Sequence, residues 1–155
     1  MAFGDVTKAE AKATFKSFMN CMQERLQDFI DIGACFGYVF DYRISECRQI
    51  ELFFDDFIEH YYEDELEDVL TFFSRYLGEI VIREYGGKWI LYQGSKRDID
   101  HFCPVVTGLL GIENIPFNTE HTMHAYYLRH QEGMIERMIT AHINALKESR
   151  RMGII

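Results

Sequence analysis

The apolar residues of this chain recur every three or four positions over long stretches, which is the spacing of one face of an α-helix. The clearest stretch runs from about Asp64 to Tyr85 and stops at Gly86 and Gly87. A glycine just past a helix can adopt the left-handed conformation that satisfies the last carbonyl groups, so we expect the helix to end there. The apolar stripe consists of Leu66, Val69, Leu70, Phe73, Leu77 and Ile80.

Two more helices are predicted before this one. The first runs from Thr7 to about Ile30 and opens with a capping box, in which the Thr7 side chain accepts from the amide of Glu10. The second runs to about Tyr61, and Ser45 is the residue type that caps a helix N-terminus. The chain is therefore expected to begin as a set of helices.

Short strands are predicted after the two glycines, at Lys88 to Tyr92, Phe102 to Thr107 and Gly111 to Ile115. Pro104 lacks an amide proton, so its strand should lie at an edge or start late. Asn118 can cap a helix that runs to about His130.

A last helix should follow Gly133, with apolar residues at helical spacing. Helices come first, a small antiparallel sheet of two to four strands follows, and helices close the chain. This order predicts an α+β fold and a single domain over residues 1–155, rather than alternating βαβ units.

The composition favours a soluble protein of the cytoplasm. The 155 residues are 48% hydrophobic and 15% aromatic, which is enough to bury a core. The first residues lack a signal peptide, and no uncharged apolar run approaches the roughly 20 residues that cross a bilayer. Four scattered cysteines show no disulfide or zinc spacing, so we expect reduced thiols, with Cys21 and Cys47 in the core.

The charge pattern is the main functional signal. Residues 49–74, called the acidic segment below, contain nine acids and no Lys or Arg. The whole chain has 25 acids and 16 bases, so the remainder carries 16 of each, and the net charge of −9 comes from this segment. Its acids are Glu51, Asp55, Asp56, Glu59, Glu63, Asp64, Glu65, Glu67 and Asp68.

A concentrated negative field attracts basic partners, so we predict a protein partner and neither nucleic acid nor membrane. Two alternatives stay open: an ordinary solvated helix face, and a divalent cation site that lacks an EF-hand loop. No cofactor is expected. The predicted contact residues are seven carboxylates and two aromatic anchors of the kind enriched at hot spots. They are Asp55, Asp56, Glu59, Tyr61, Tyr62, Glu63, Asp64, Glu67 and Asp68.

Catalytic motifs are absent, and we expect no enzyme. There is no nucleophile elbow, phosphate-binding glycine loop or dinucleotide fingerprint. His121 and His124 stand three apart with Glu120 beside them, a weak metal signal, and Cys103 lies two residues from His101. A small metal- or ligand-binding enzyme is one alternative to a binding protein, and an adaptor or homodimeric structural protein is another.

Gly78 stands inside a predicted helix, where glycine costs about 1 kcal/mol relative to alanine. We expect it to let the strand that bears Trp89 approach the helix, with Glu79 accepting a hydrogen bond from the indole or from loop amides. The structural motif is thus Gly78, Glu79, Gly86, Gly87 and Trp89. A ligand site at this junction is the alternative.

The segments Tyr-Leu-Gly-Glu at 76–79 and Gly-Gly-Lys-Trp at 86–89 resemble a pattern of small uncharacterised bacterial domains. Phe-Asp-Tyr at 40–42, Ser45 and Ile-Pro-Phe-Asn at 115–118 are similar to further parts of it, so the resemblance covers about residues 38–130. Such domains are similar to immunity proteins, which implies a cytosolic protein that neutralises a bacterial toxin, for example a basic nuclease-like effector, by direct binding. The resemblance brings no catalytic residues.

Overall fold

The described part of the chain, residues 6–61 and 63–155 of a computed structural model, has an α+β fold. Helices flank a small antiparallel sheet, as the order of sequence patterns predicts. Within these residues the elements are α1 (Lys8–Asn20), α2 (Met22–Cys35), α3 (Cys47–Ile58), α4 (Leu66–Tyr85), β1 (Lys88–Leu91), β2 (Pro104–Thr107), α5 (Thr119–Arg129) and α6 (Met134–Arg151). None of the described helices is long and apolar enough to cross a bilayer.

The predicted first helix is two helices, with a break at Cys21 (φ −97°, ψ 9°). The prediction of one continuous helix was wrong because no glycine or proline marks this break and Phe18 and Met22 on either side are both buried. The bend lets α1 pack on β1 while α2 packs on α4. The cap at the start was correct, since Thr7 Oγ1 accepts from the Glu10 amide at 3.1 Å.

The entry to α3 also differs from the prediction. Ser45 lies inside a 3-10 turn, Ile44–Glu46, and no side chain caps this turn or the start of α3. Ser45 is therefore not the N-cap that its type suggested. The neighbouring Glu46 folds back instead, and its carboxylate accepts from the Asp41 amide at 2.5 Å.

The sheet contains two strands among the described residues, with Trp89 opposite Val106. β2 begins at Pro104, as expected for a residue without an amide proton. The third strand predicted at 111–115 is wrong: the chain turns there, with positive φ at Gly111 and Asn114. Phe117 makes a single bridge to Val106 in its place.

Helix α4 is the centre of the core and packs against α2, α3 and α5. Phe73, Tyr76, Leu77 and Ile80 are fully buried on it. Aromatic rings fill the space around the helix; Phe29 of α2, for example, stacks on Tyr76 with centroids 4.2 Å apart. The long apolar stripe predicted for this helix is thus confirmed as the main packing surface.

The Gly86 and Gly87 pair ends α4 as predicted. Gly86 has φ 79° and donates its amide to the Ile82 carbonyl at 2.8 Å, but its ψ of 177° lies outside the expected left-handed helical region. A Cβ at Gly87 would lie 2.6 Å from the Thr107 carbonyl oxygen. Gly87 therefore allows β2 to pass against the helix end.

All four cysteines are free thiols. Cys47 is buried in the core, as predicted. Cys21 is only partly buried at the helix break, so its expected place in the core was wrong.

Candidate functional site

The acidic segment folds as a helical hairpin whose turn lies between the end of α3 at Ile58 and the start of α4 at Leu66. Five of its carboxylates are exposed around this turn and accept no hydrogen bond or ion pair from any residue within 6–61 and 63–155. We call these five the acidic tip: Glu59, Glu63, Asp64, Glu67 and Asp68. Within the described structure, these carboxylates therefore form no ion pair with a basic side chain.

Asp55 is one turn before the tip and has partners inside the molecule. Both of its oxygens accept from the Tyr126 hydroxyl, at 3.0 and 2.9 Å, and Oδ1 lies 2.8 Å from His130 Nε2. Burial, followed by the bond to Asp55, raises the pKa of Tyr126. Asp55 therefore links α3 to the end of α5.

Asp56 has an internal partner as well, although it is exposed. Its Oδ2 accepts from the Tyr38 hydroxyl at 2.6 Å. This hydrogen bond is the main reason that the pKa of Tyr38 rises to about 12. Asp55 and Asp56, both predicted contact residues, are thus already engaged with the fold.

Glu51 differs from the exposed acids of the acidic segment, because its side chain is fully buried. Oε1 accepts from the Gly133 amide at 2.9 Å and Oε2 from the Ile135 amide at 3.1 Å. Arg48 Nη1 also donates to Oε1 at 2.8 Å. Glu51 is therefore the cap of α6 and offers no charge to a partner.

Tyr61, Tyr62 and Glu65 are the remaining aromatic and acidic residues of the turn. Tyr61 is 37% exposed, and its ring stacks on Phe57 with centroids 4.4 Å apart. Tyr62, the other predicted anchor, lies outside the described residues. Glu65 is partly buried and has an interaction partner. The contact residues that the fold gathers around the turn are therefore the acidic tip and Tyr61.

The predicted structural motif is confirmed at Gly78, Trp89 and Glu79. A Cβ at Gly78 would lie 2.2 Å from the Trp89 ring, so only glycine permits this approach. The indole Nε1 donates to Glu79 Oε2 at 3.1 Å, as expected. The Trp89 ring also meets Phe18 edge to face, with centroids 5.0 Å apart.

The histidines and cysteines named from the sequence form no metal centre within the described residues, which contain no group of three or more His, Cys, Asp or Glu side chains able to hold an ion. Burial raises the pKa of the Cys103 thiol to about 11, so the reactive thiolate is disfavoured at neutral pH. Burial and the neighbouring Glu67 raise the pKa of Glu120 to about 7.

A groove of about 510 Å³ opens beside the acidic tip. Tyr61 and Asp68 line it on the hairpin side, and Arg25 lines it from α2. This groove was not predicted from the sequence, although Asp68, Phe72 and Arg75 are spaced four and three apart and so share one face of α4. Predicting it required knowing that α2 packs against that face.

Comparison of the chain with protein-family models, with curated proteins and with solved structures gives no match.

Proposed function

We propose that this chain is a cytoplasmic binding protein that captures and neutralises a positively charged protein, of the toxin-inhibitor kind that its sequence pattern resembles. One observation carries the proposal: five exposed carboxylates stand within residues 59–68 with no basic partner from the described chain. The acidic tip is the proposed recognition surface. Asp55 and Asp56 support it from α3 and contribute less, because their oxygens already accept hydrogen bonds.

The chemistry of the tip suits a basic partner. Like charges at this spacing repel one another, and a surface of Lys and Arg relieves that repulsion on binding. Charge complementarity of this kind raises the association rate and its sensitivity to salt more than it raises the affinity. A partner whose own ligand is an anion, as in a nuclease, presents such a basic surface.

Tyr61 is the proposed aromatic contact of this surface, in addition to its carboxylates. Its ring is held by Phe57 and is partly exposed, so a partner can cover it without ordering a flexible side chain. Exposed tyrosines next to a groove are typical hot spots in protein interfaces. Tyr61 lies in the chain between Glu59 and Glu63 of the tip and lines the groove together with Asp68.

The test is affinity capture from a lysate of the native host, followed by measurement of binding to the captured protein. In the tip variant, Glu59, Glu63, Asp64 and Glu67 are changed to Lys. In the control, Glu24, Asp31, Glu84 and Glu113 are changed to Lys; these are exposed acids outside the acidic segment, so the net charge changes equally.

We expect the tip variant to lose the partner and the control to retain it, with association that slows as salt rises. Equal loss in both variants would mean that only net charge matters. Full retention in the tip variant would refute the proposed surface.

A further inference from the structure

The groove beside the acidic tip contains an arginine with unmet hydrogen-bonding capacity. The groove lies between α2 and the hairpin, and its volume of about 510 Å³ falls within the usual range of small-molecule sites. Apolar side chains form much of its wall, namely Ile32, Phe57 and Phe72. Arg75 of α4 lies against this wall.

Arg75 has no carboxylate partner among the described residues. Its Nε is buried without a hydrogen-bond partner there, and Nη2 has only the Cys21 sulfur at 3.4 Å. The guanidinium stands over the Phe18 ring, with Cζ 4.5 Å from the centroid. A partly desolvated guanidinium with five donors and so few acceptors favours an anion.

The neighbouring charges define what kind of anion fits. Arg25 also lines the groove. Burial and, to a smaller extent, the positive charge of Arg25 lower the pKa of Arg75. Arg25 forms an ion pair with Asp28 at 2.9 Å. Asp68 lines the groove from α4, whereas Arg25 lines it from α2. Two arginines are balanced by two carboxylates, so the groove accepts one added negative charge more readily than two.

We propose that this groove binds a small monocarboxylate with an aromatic or branched apolar body, with the carboxylate accepting from the terminal nitrogens of Arg75. The apolar body lies against Phe57, Phe72 and Ile32, where it is removed from water. A planar carboxylate matches the fork of donors on a guanidinium. Tyr61 and Asp68 border both this groove and the proposed protein-binding surface. The proposal nevertheless does not rest on the protein partner, because the carboxylate binds to Arg75 and the apolar body to the groove wall.

The probe is naphthalene-1-acetate, and naphthalene-1-acetamide is its matched neutral analogue. Binding is followed by backbone amide chemical shifts in an NMR titration of the full chain. We expect saturable shifts that map to α2 and to the first half of α4, and an affinity for the acid about 10- to 100-fold greater than for the amide, as charge-assisted hydrogen bonds imply. Equal affinity for the two compounds, or shifts located elsewhere, would overturn the proposal.

Variants locate the anchor. Arg75→Gln should reduce the affinity for the acid to that for the amide, and Arg75→Lys should retain part of it, since the charge remains but the fork is lost. Arg43→Gln is the control, because Arg43 is exposed and pairs with Asp41 outside the groove. Unchanged binding in a folded Arg75→Gln variant would refute the role of Arg75. If that variant does not fold, the role of Arg75 is tested by the affinity of Arg75→Lys for the acid and by the difference in affinity between acid and amide in the natural chain.

Discussion

Glu51 and Ile135 are 84 positions apart, yet the Glu51 carboxylate accepts the Ile135 amide at 3.1 Å. The residue at the N-cap position of α6 is Gly133, which has no side chain to fulfil that role. A carboxylate from α3 therefore satisfies the free amides at the start of α6, and its charge complements the positive end of the helix dipole. One acid of the acidic segment is in this way a structural link between two helices.

The Glu51→Gln variant tests this link. The amide keeps one acceptor but places an NH₂ group against a backbone amide, so at least one charged hydrogen bond is lost in a buried site. We expect the free energy of unfolding to fall by about 1.5 to 3 kcal/mol. Urea unfolding monitored by circular dichroism measures it.

The control is Glu59→Gln, at the exposed end of the same helix. It should change stability by no more than about 0.5 kcal/mol. If both variants lose the same stability, the cap contributes nothing beyond the removal of a charge.

The burial of Glu51 could have been predicted from the sequence, but its hydrogen-bond partners could not. Cys47, Ile50 and Phe54 form the apolar stripe of α3, and Glu51 stands four positions after Cys47 and three before Phe54, on the same face. That position was a local sign that the acid is buried. Its backbone partners lie on a different helix, and helical spacing carries no information about which helix packs opposite.

Several features that depend on adjacent residues were predicted correctly, although the cap at Ser45 was not. The caps at Thr7 and Asn118, the helix stop at Gly86 and the order of helices and sheet are each determined by local hydrogen bonding or by apolar spacing. The break at Cys21 was not, because tertiary packing of the two halves of the first helix on different elements produces it. The groove at Arg75 was missed for the same reason.

Replacing Gly78 with alanine should invert the usual effect of this substitution. In an exposed helix, Gly→Ala stabilises by about 1 kcal/mol. Here the new methyl would lie 2.2 Å from the Trp89 ring, so we expect Gly78→Ala to destabilise by about 1 to 3 kcal/mol. Thermal unfolding gives the sign.

A double-mutant cycle assigns that loss to the ring. In the Trp89→Leu background, Gly78→Ala should lower the free energy of unfolding by about 1 kcal/mol less than it does in the natural chain. Additive losses would place the strain somewhere other than the contact between Gly78 and Trp89.

The Tyr76 hydroxyl links the Glu46 carboxylate to the backbone amide of Tyr42. It donates to Glu46 Oε1 at 2.5 Å and accepts from the Tyr42 amide at 2.9 Å. Tyr42 has a positive φ of 57°, which a bulky residue keeps only when its surroundings hold it. We expect Tyr76→Phe to lower the free energy of unfolding by about 1 to 3 kcal/mol.

Tyr38→Phe is the matched control for Tyr76→Phe. It also removes a hydroxyl that donates to a carboxylate, but Asp56 is exposed and water can replace the bond. Its effect should stay within about 0.5 kcal/mol. Equal losses in the two variants would show that the buried network around Tyr76 has no special contribution.

Glu120 makes stability depend on pH in a direction opposite to that of most carboxylates. Its pKa in the folded protein rises to about 7, first because of burial and then because of the charge on Glu67. The folded state therefore holds a proton that the unfolded state releases near pH 4.5. This contribution to stability is complete below pH 4.5 and is lost as pH rises towards 7.

Replacing Glu120 with Gln removes that loss, because the amide stays neutral at every pH. The variant should gain about 1 to 3 kcal/mol over the natural chain at pH 8 and little at pH 4.5. Glu67→Gln should give a smaller gain in the same direction, since it removes only the second cause. Urea unfolding at a series of pH values measures both, and a gain that is independent of pH would show that Glu120 is ionised normally in the fold.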